Sequence, residues 1–315
     1  MSWGRWYFAL QAVGGAASWI AVFTIPAVQT ATLGSLQPFL VALADVPLFV
    51  VASALAAAGV RAAAVVTTIW TAAVAVALAT WATVTTEAGI GVLIMTGAAV
   101  GSVLALSLVL LGRVPTEWVA SGPLRFRTAD PEAARRRHVL GTVVQIVVFW
   151  GLFLGVFPLV IAFAERRWQL HPDLPGPVSV ASVVTGAVVL VAASALGIAS
   201  AAAMSTQGAG TPLPSAMPNR LVVAGPYRSV RNPMALAGIT QGVAVGLLLT
   251  SWMIVVYALA GSIVWNCVVR PLEEADLEHR FGDDFRRYAE RVRCWVPRWP
   301  IPASAPVEAL SPPRR

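Results

Sequence analysis

Residues 234–269 read MALAGITQGVAVGLLLTSWMIVVYALAGSIVWNCVV, without one charged residue. A bilayer core is crossed by about 20 apolar residues, so this run is too long for one helix. It suits two, turning near Thr250-Ser251. Before it stands Gly225-Pro226-Tyr227-Arg228-Ser229-Val230-Arg231-Asn232-Pro233; after it come Arg270, Glu273, Glu274 and then Phe281-Gly282. A hairpin through the membrane returns its two ends to one level. Charge so near a bilayer is costly, so two polar clusters meeting there read as a binding or catalytic site.

The rest of the chain agrees with a membrane setting. Of 315 residues, 57% are hydrophobic and 12% charged, whereas a soluble domain carries about a quarter charged residues. Apolar runs predict spans at Trp6–Val28, Leu36–Val60, Ala62–Thr85, Ile90–Leu111, His138–Ala164 and Val178–Ala203, followed by the two-helix block. The fold class is therefore all-α: a polytopic membrane helical bundle of about eight transmembrane helices. The first span follows Arg5 but is too long for a signal-peptide core, and it is expected to be retained.

The basic residues are all arginine, and they test the topology. With the N-terminus inside, the cytoplasmic segments hold Arg5, Arg61, the arginines of the 113–137 connection, Arg220, Arg228, Arg231 and the C-terminal tail. The outer segments hold Arg166 and Arg167, beside Glu165 and Asp173. That asymmetry follows the positive-inside rule and puts both termini in the cytoplasm. The formal charge of +7 does not imply a nucleic-acid partner, because the arginines lie between apolar blocks rather than in a patch beside aromatics. Arginine in place of lysine, with abundant alanine, reads as genome composition and suggests a bacterial plasma membrane.

Within the spans of residues 1–112, Asp45 is the only acid; its plainer reading is a carboxylate satisfied by hydrogen bonds inside the bundle, against a proton relay. His138, His171 and His279 lack metal-ligand spacing, and Cys267 and Cys294 make a disulfide framework improbable. No metal is expected. Toward the C-terminus, Leu277, Phe281, Phe285, Tyr288, Val292 and Trp295 recur every three or four residues. They predict a cytoplasmic amphipathic helix, interrupted at Gly282, that lies on the bundle or in the interface. Pro297, Pro300 and Pro302 end it, and residues 301–315 are expected to be disordered. The domain reading is 1–112 as a four-helix region, 113–137 as a basic connection, 138–300 as a functional core, and 301–315 as a tail.

The order Gly210-Thr211-Pro212, Leu221-Val222, Gly225-Pro226-Tyr227-Arg228, Val230-Arg231-Asn232-Pro233-Met234, Gly238, Glu273-Glu274, Phe281-Gly282, Tyr288 and Val296-Pro297 resembles the isoprenylcysteine carboxyl methyltransferase family. Those integral-membrane enzymes use S-adenosylmethionine and are related in pattern to the phospholipid methyltransferases. Ala235 stands where the family usually has Tyr, and Asn232 where eukaryotic members have His. The resemblance implies cofactor contacts at Asn219, Arg220, Leu221, Val222, Tyr227, Asn232, Pro233, Met234, Ala235 and Glu273, and the cofactor-binding set also takes in Gly225, Arg228, Arg231 and Gly238. It implies Arg270 as the arginine beside the substrate.

The residue types suit that cofactor. A guanidinium fork binds a carboxylate through two charge-assisted bonds, and an ionised Glu273 accepts from an ammonium or ribose hydroxyls. Gly225 and Gly238 permit close backbone approach, while Pro226 and Pro233 stiffen the loop and start the next helix. The expected reaction is methyl transfer to a lipophilic acceptor, a carboxylate in the first reading, which needs no general base. With an amine acceptor, as in phospholipid N-methylation, Glu274 would have to take a proton. A transporter or scaffold that keeps the fold without the chemistry is the non-enzyme alternative. A soluble dinucleotide-binding domain is excluded, since Gly89-Ile90-Gly91 continues to Ile94 where a third glycine would stand. Membrane lipids and a lipophilic small molecule are the expected partners.

Overall fold

A computed structural model of the chain describes residues 2–118, 135–208 and 217–296. Gly210-Thr211-Pro212, Pro297, Pro300, Pro302, residues 119–134 of the basic connection and the 301–315 tail lie outside the described residues.

Every regular element among the described residues is a helix. They are α1 (Trp3–Thr24), α2 (Pro26–Leu33), α3 (Pro38–Ala58), α4 (Arg61–Thr85), α5 (Gly89–Leu111), α6 (Val139–Arg167), α7 (Gly176–Gln207), α8 (Pro233–Leu248), α9 (Trp252–Phe281) and α10 (Asp283–Arg291). Seven of these are long and apolar enough to cross a membrane, and α8 is a shorter apolar helix. Their outward faces carry large apolar side chains such as Leu10, Ile69, Val76 and Val191, each more than 60% exposed. In lipid such exposure costs nothing; in water it would drive aggregation. The chain is an integral membrane protein.

Three helices contain a π-helical turn: Val46–Val51 in α3, Trp150–Val156 in α6 and Trp265–Val269 in α9. Each adjoins a proline, namely Pro47, Pro158 and Pro271. Proline lacks an N–H and its ring crowds the carbonyl four residues back, so a local widening of the helix accommodates it without a break. For this reason α9 does not stop at Val269, where the apolar run ends. It continues to Phe281 and carries Arg270, Glu273 and Glu274 on a helix.

The chain divides into two compact units. The first contains residues 1–118, 157–179 and 249–254. Here a polar network joins α1, α3, α4 and α5: Gln11 Nε2 donates to Ser53 Oγ (3.1 Å) and Thr67 Oγ1 (3.3 Å), and Ser102 Oγ donates to Gln11 Oε1 (2.9 Å). Since lipid tails are as apolar as leucine, such bonds and small-residue packing, rather than a hydrophobic drive, hold membrane helices together. Asp45 accepts from Trp19 Nε1 at 2.8 Å and Trp70 Nε1 at 2.7 Å, one indole on each oxygen. The plainer reading of that acid is the one the structure bears out. Arg5 Nε caps the α3 carbonyl of Ala57 at 2.9 Å, which brings the start of α1 to the end of α3.

In the same unit the turn between α8 and α9 falls at Leu249–Ser251, with Thr250 at φ +51°. Ser251 Oγ accepts from Ile254 N at 3.2 Å, an N-cap that starts α9 where the sequence placed the turn. The same hydroxyl donates to the fully buried Glu165 carboxylate.

The second unit contains residues 119–156, 180–248 and 255–315. Its helices approach closely through small residues. A Cβ on Gly242 of α8 would stand 2.9 Å from Ala258 Cβ of α9, so a larger side chain would push the hairpin apart.

Candidate functional site

The polar cluster of the second unit is assembled from three segments: the 217–232 connection, the continuation of α9 beyond its π turn, and residues 292–296 after α10. The connection is pinned at its start by Gly208, whose carbonyl accepts from the backbone N–H of Asn219 (2.8 Å) and Arg220 (3.1 Å). Val222 and Tyr227 pack on Ala203 and Met204 at the end of α7. Gly225 opens a 3₁₀ turn, Gly225–Arg228, at φ +59°, a backbone setting that side-chain-bearing residues rarely adopt. Pro233 then occupies the first position of α8, where its missing N–H is no loss, and Asn232 O accepts from Leu236 N at 3.1 Å.

The amphipathic C-terminal segment closes over this connection. Phe285, Tyr288 and Val292 are buried in one cluster, with Leu221, Val223, Leu277 and Phe281 against it. The helix therefore lies on the protein, and Phe281 and Tyr288 are packing residues. Tyr288 Oη donates to the Tyr227 carbonyl at 2.7 Å. Burial pushes the Tyr288 phenol well up, so it stays protonated and remains a donor. Burial first, and the negative charge of Glu273 second, push the Tyr227 phenol up as well.

Beyond α10 the chain doubles back: Arg231 N donates to Arg293 O at 3.0 Å. This sets Cys294 beside both ends of the hairpin. Its Sγ lies 3.2 Å from Asn232 Nδ2 and 3.5 Å from Arg270 Nη1, both donors. Arg231 Nη1 is 3.5 Å from Glu274 Oε1, a partly exposed ion pair. Trp295 Nε1 donates to Asn266 Oδ1 at 3.2 Å, and its ring meets Trp265 edge-on at 5.2 Å. Arg280 ties α9 to the connection through Pro218 O at 2.8 Å and is itself paired with Asp276.

The structure thus brings Arg231, Asn232, Arg270 and Glu274 together, on residues far apart in sequence. Glu273 stands near Tyr227 and makes no hydrogen bond or ion pair among the described residues. Leu221, Val222 and Pro233 are held in packing, Met234 and Ala235 are half-buried in the first turn of α8, and Arg220, Gly225, Arg228 and Gly238 are exposed. A Cβ on Gly238 would meet nothing within 4 Å, so its surroundings are open rather than tight. Asn219 is half-buried beside Arg220. Cys294 and Arg280 belong to this assembly and had no motif to announce them. A thiol in an arginine-rich tail carries no spacing signal, and the fold-back of residues 292–296 is a tertiary event.

The donor set suits a zwitterionic ligand. Arg231 Nε, Arg270 Nε and Glu274 Oε1 are buried atoms without hydrogen-bond partners, and Glu273 offers an unengaged carboxylate. Buried polar groups are ordinarily paired, so several unpaired ones in one cluster invite a ligand. The Arg231–Glu274 contact, at 3.5 Å, is longer than a hydrogen bond, which leaves the guanidinium open to a ligand carboxylate.

Residues 181–284 match the family model described as phospholipid methyltransferase. The matched stretch takes in most of α7, the connection, α8 and α9, and ends in the first turn of α10. No curated protein and no solved structure matches the chain. The family model points to the same superfamily of integral-membrane methyltransferases as the sequence motifs, without selecting the isoprenylcysteine carboxyl branch.

Proposed function

We propose that this chain transfers a methyl group from S-adenosylmethionine to a lipophilic acceptor that enters from the bilayer, with residues 138–300 as the functional core. One observation carries the reading. Arg231 Nε and Arg270 Nε, buried without hydrogen-bond partners, and the unbonded Glu273 carboxylate lie where α8 begins and where α9 leaves its π turn, inside the stretch that matches a membrane methyltransferase family model.

Arg231, with Asn232 beside it, would hold the cofactor carboxylate, and Glu273 its ammonium or ribose hydroxyls. When bound, the cofactor supplies an electrophilic methyl group on a sulfonium. The chain's own residues have the task of alignment. Arg270 would fix an acceptor carboxylate through its free Nε edge, while Cys294 steadies Nη1. An acceptor carboxylate is already anionic, so the site moves no proton; orienting the two partners in line and excluding water suffices. Arg228, Gly225 and Gly238 would form the rim.

The family match favours a second reading, in which a phospholipid amine is the acceptor. The amine must then lose a proton, and Glu274 is the nearest candidate base. It faces the Arg231 guanidinium at 3.5 Å, a position better suited to orienting arginine than to taking protons.

The two readings separate in one assay. Purified protein is incubated with methyl-labelled S-adenosylmethionine and a membrane lipid extract. A methyl ester releases its label as methanol in mild alkali; an N-methyl group keeps it. Alkali-labile label in the lipid phase is expected. Alkali-stable label would move the acceptor to an amine, and unlabelled lipid from a protein that binds the cofactor would leave the fold without the chemistry.

A further inference from the structure

The first unit carries a groove of about 440 Å³ at the C-terminal ends of α4 and α6. Its apolar wall is Leu159, Ala162, Phe163 and Leu249; its polar rim is Thr86, Arg166, Arg167 and Gln169. On α6, positions 159, 162, 163 and 166 follow the three-and-four spacing of one helix face. That face presents an apolar track with a guanidinium at its end, where the helix leaves the bilayer. Leu159 and Phe163 are 61% and 60% exposed, so the track is unpaired by protein.

The two arginines differ in their engagements. Arg167 is spent on structure: its Nε and Nη2 cap the α4 carbonyls of Thr83 at 2.5 Å and Val84 at 2.8 Å. A cation suits the negative end of a helix, and this cap fixes one wall of the groove. Arg166 is exposed, and its guanidinium makes no hydrogen bond or ion pair among the described residues. Nearby acids do not neutralise it. Glu165, its neighbour, is fully buried and accepts from Ser251, while Glu87 accepts from both N and Oγ of Ser35.

We propose that this groove binds one anionic membrane phospholipid, with its phosphate on Arg166 beside the Arg167 cap and an acyl chain along Leu159 and Phe163. Charge complementarity selects the occupant: the unpaired Arg166 guanidinium above an apolar track matches a phosphate above a hydrocarbon chain, its fork meets phosphate oxygens two at a time, and the capped Arg167 adds positive charge beside it. Gln169 Nε2 gives one hydrogen to the Arg166 carbonyl and can donate the other to a headgroup oxygen. The site is separate from the residues assigned to methyl transfer and stands without that reading.

The test is native mass spectrometry of the full chain in detergent, titrated with phosphatidylglycerol or with phosphatidylcholine of the same acyl chains. The wild type should retain one phosphatidylglycerol in preference to phosphatidylcholine. Arg166→Gln should weaken phosphatidylglycerol binding at least about tenfold, as expected for loss of a charge-assisted contact, and leave phosphatidylcholine unchanged. Arg61→Gln, an exposed arginine at the other end of α4, should change neither. Equal retention of the two lipids by the wild type would overturn the proposal, and that comparison needs no variant. Undiminished phosphatidylglycerol binding by a folded Arg166→Gln would overturn it too.

Discussion

Cys294 is the residue on which the cluster turns, because its sulfur is the common neighbour of Asn232 and Arg270. Those two belong to opposite ends of the α8–α9 hairpin, so one small side chain sets their spacing. Valine fills nearly the same space but accepts nothing, whereas serine keeps an acceptor. Cys294→Val should therefore cost about 1 kcal/mol of local order, the usual net value of such a bond. In the methyl-transfer assay it should lower turnover several-fold, with Cys294→Ser close to wild type. Equal turnover of the two variants would show that the thiol only fills space. Arg231, Asn232, Arg270 and Glu274 were legible in the sequence because charge and amide groups stand out against apolar runs. Cys294 was not, since its role arises only when residues 292–296 fold back on Arg231.

At the scale of elements, the break in the C-terminal segment was legible to the residue, but its end was not. Helix α10 stops at Arg291, and Val292 and Trp295, read as its last turns, lie in the non-helical fold-back held by the Arg231 N–H to Arg293 carbonyl bond. The stripe from Leu277 to Val292 keeps helical spacing on both sides of Gly282, and the structure breaks α9 from α10 there, at φ +52° and ψ −125°. A Cβ at Gly282 would meet nothing within 4 Å, so Gly282→Ala changes backbone strain alone. The cost should be about 1–3 kcal/mol, typical of a residue forced into a sparsely populated region. It should appear as faster hydrogen exchange through 283–291, with α1–α5 unaffected; unchanged protection of α10 would mean the bend is not held by Gly282. The extent of α9 was less legible. Apolar composition ends at Val269, but a helix ends only where its backbone bonding ends, and the π turn at Trp265–Val269 lets Pro271 pass. Composition reports where lipid begins and stops; it is silent on how a helix absorbs a proline.

Across the whole molecule, the seven long apolar helices and the short α8 correspond to the spans read from hydropathy, within a few residues at every end but the last, where α9 runs on from Val269 to Phe281. This agreement has a physical basis. A membrane helix must satisfy its backbone internally, so length and apolarity nearly determine it. What hydropathy could not supply was the assignment of residues 157–179 and 249–254 to the same compact unit as residues 1–118, which depends on Ser251 bonding to Glu165 and on Arg167 capping α4. The central claim concerns the other unit, and a calorimetric titration tests it most directly. S-adenosylmethionine and S-adenosylhomocysteine are titrated into purified wild type, Arg231→Ala and Glu273→Ala in detergent. The account predicts micromolar binding of both ligands to the wild type and its loss in each variant, at unchanged yield and helical content. Normal affinity in both variants, or no binding by a folded wild type, would contradict it.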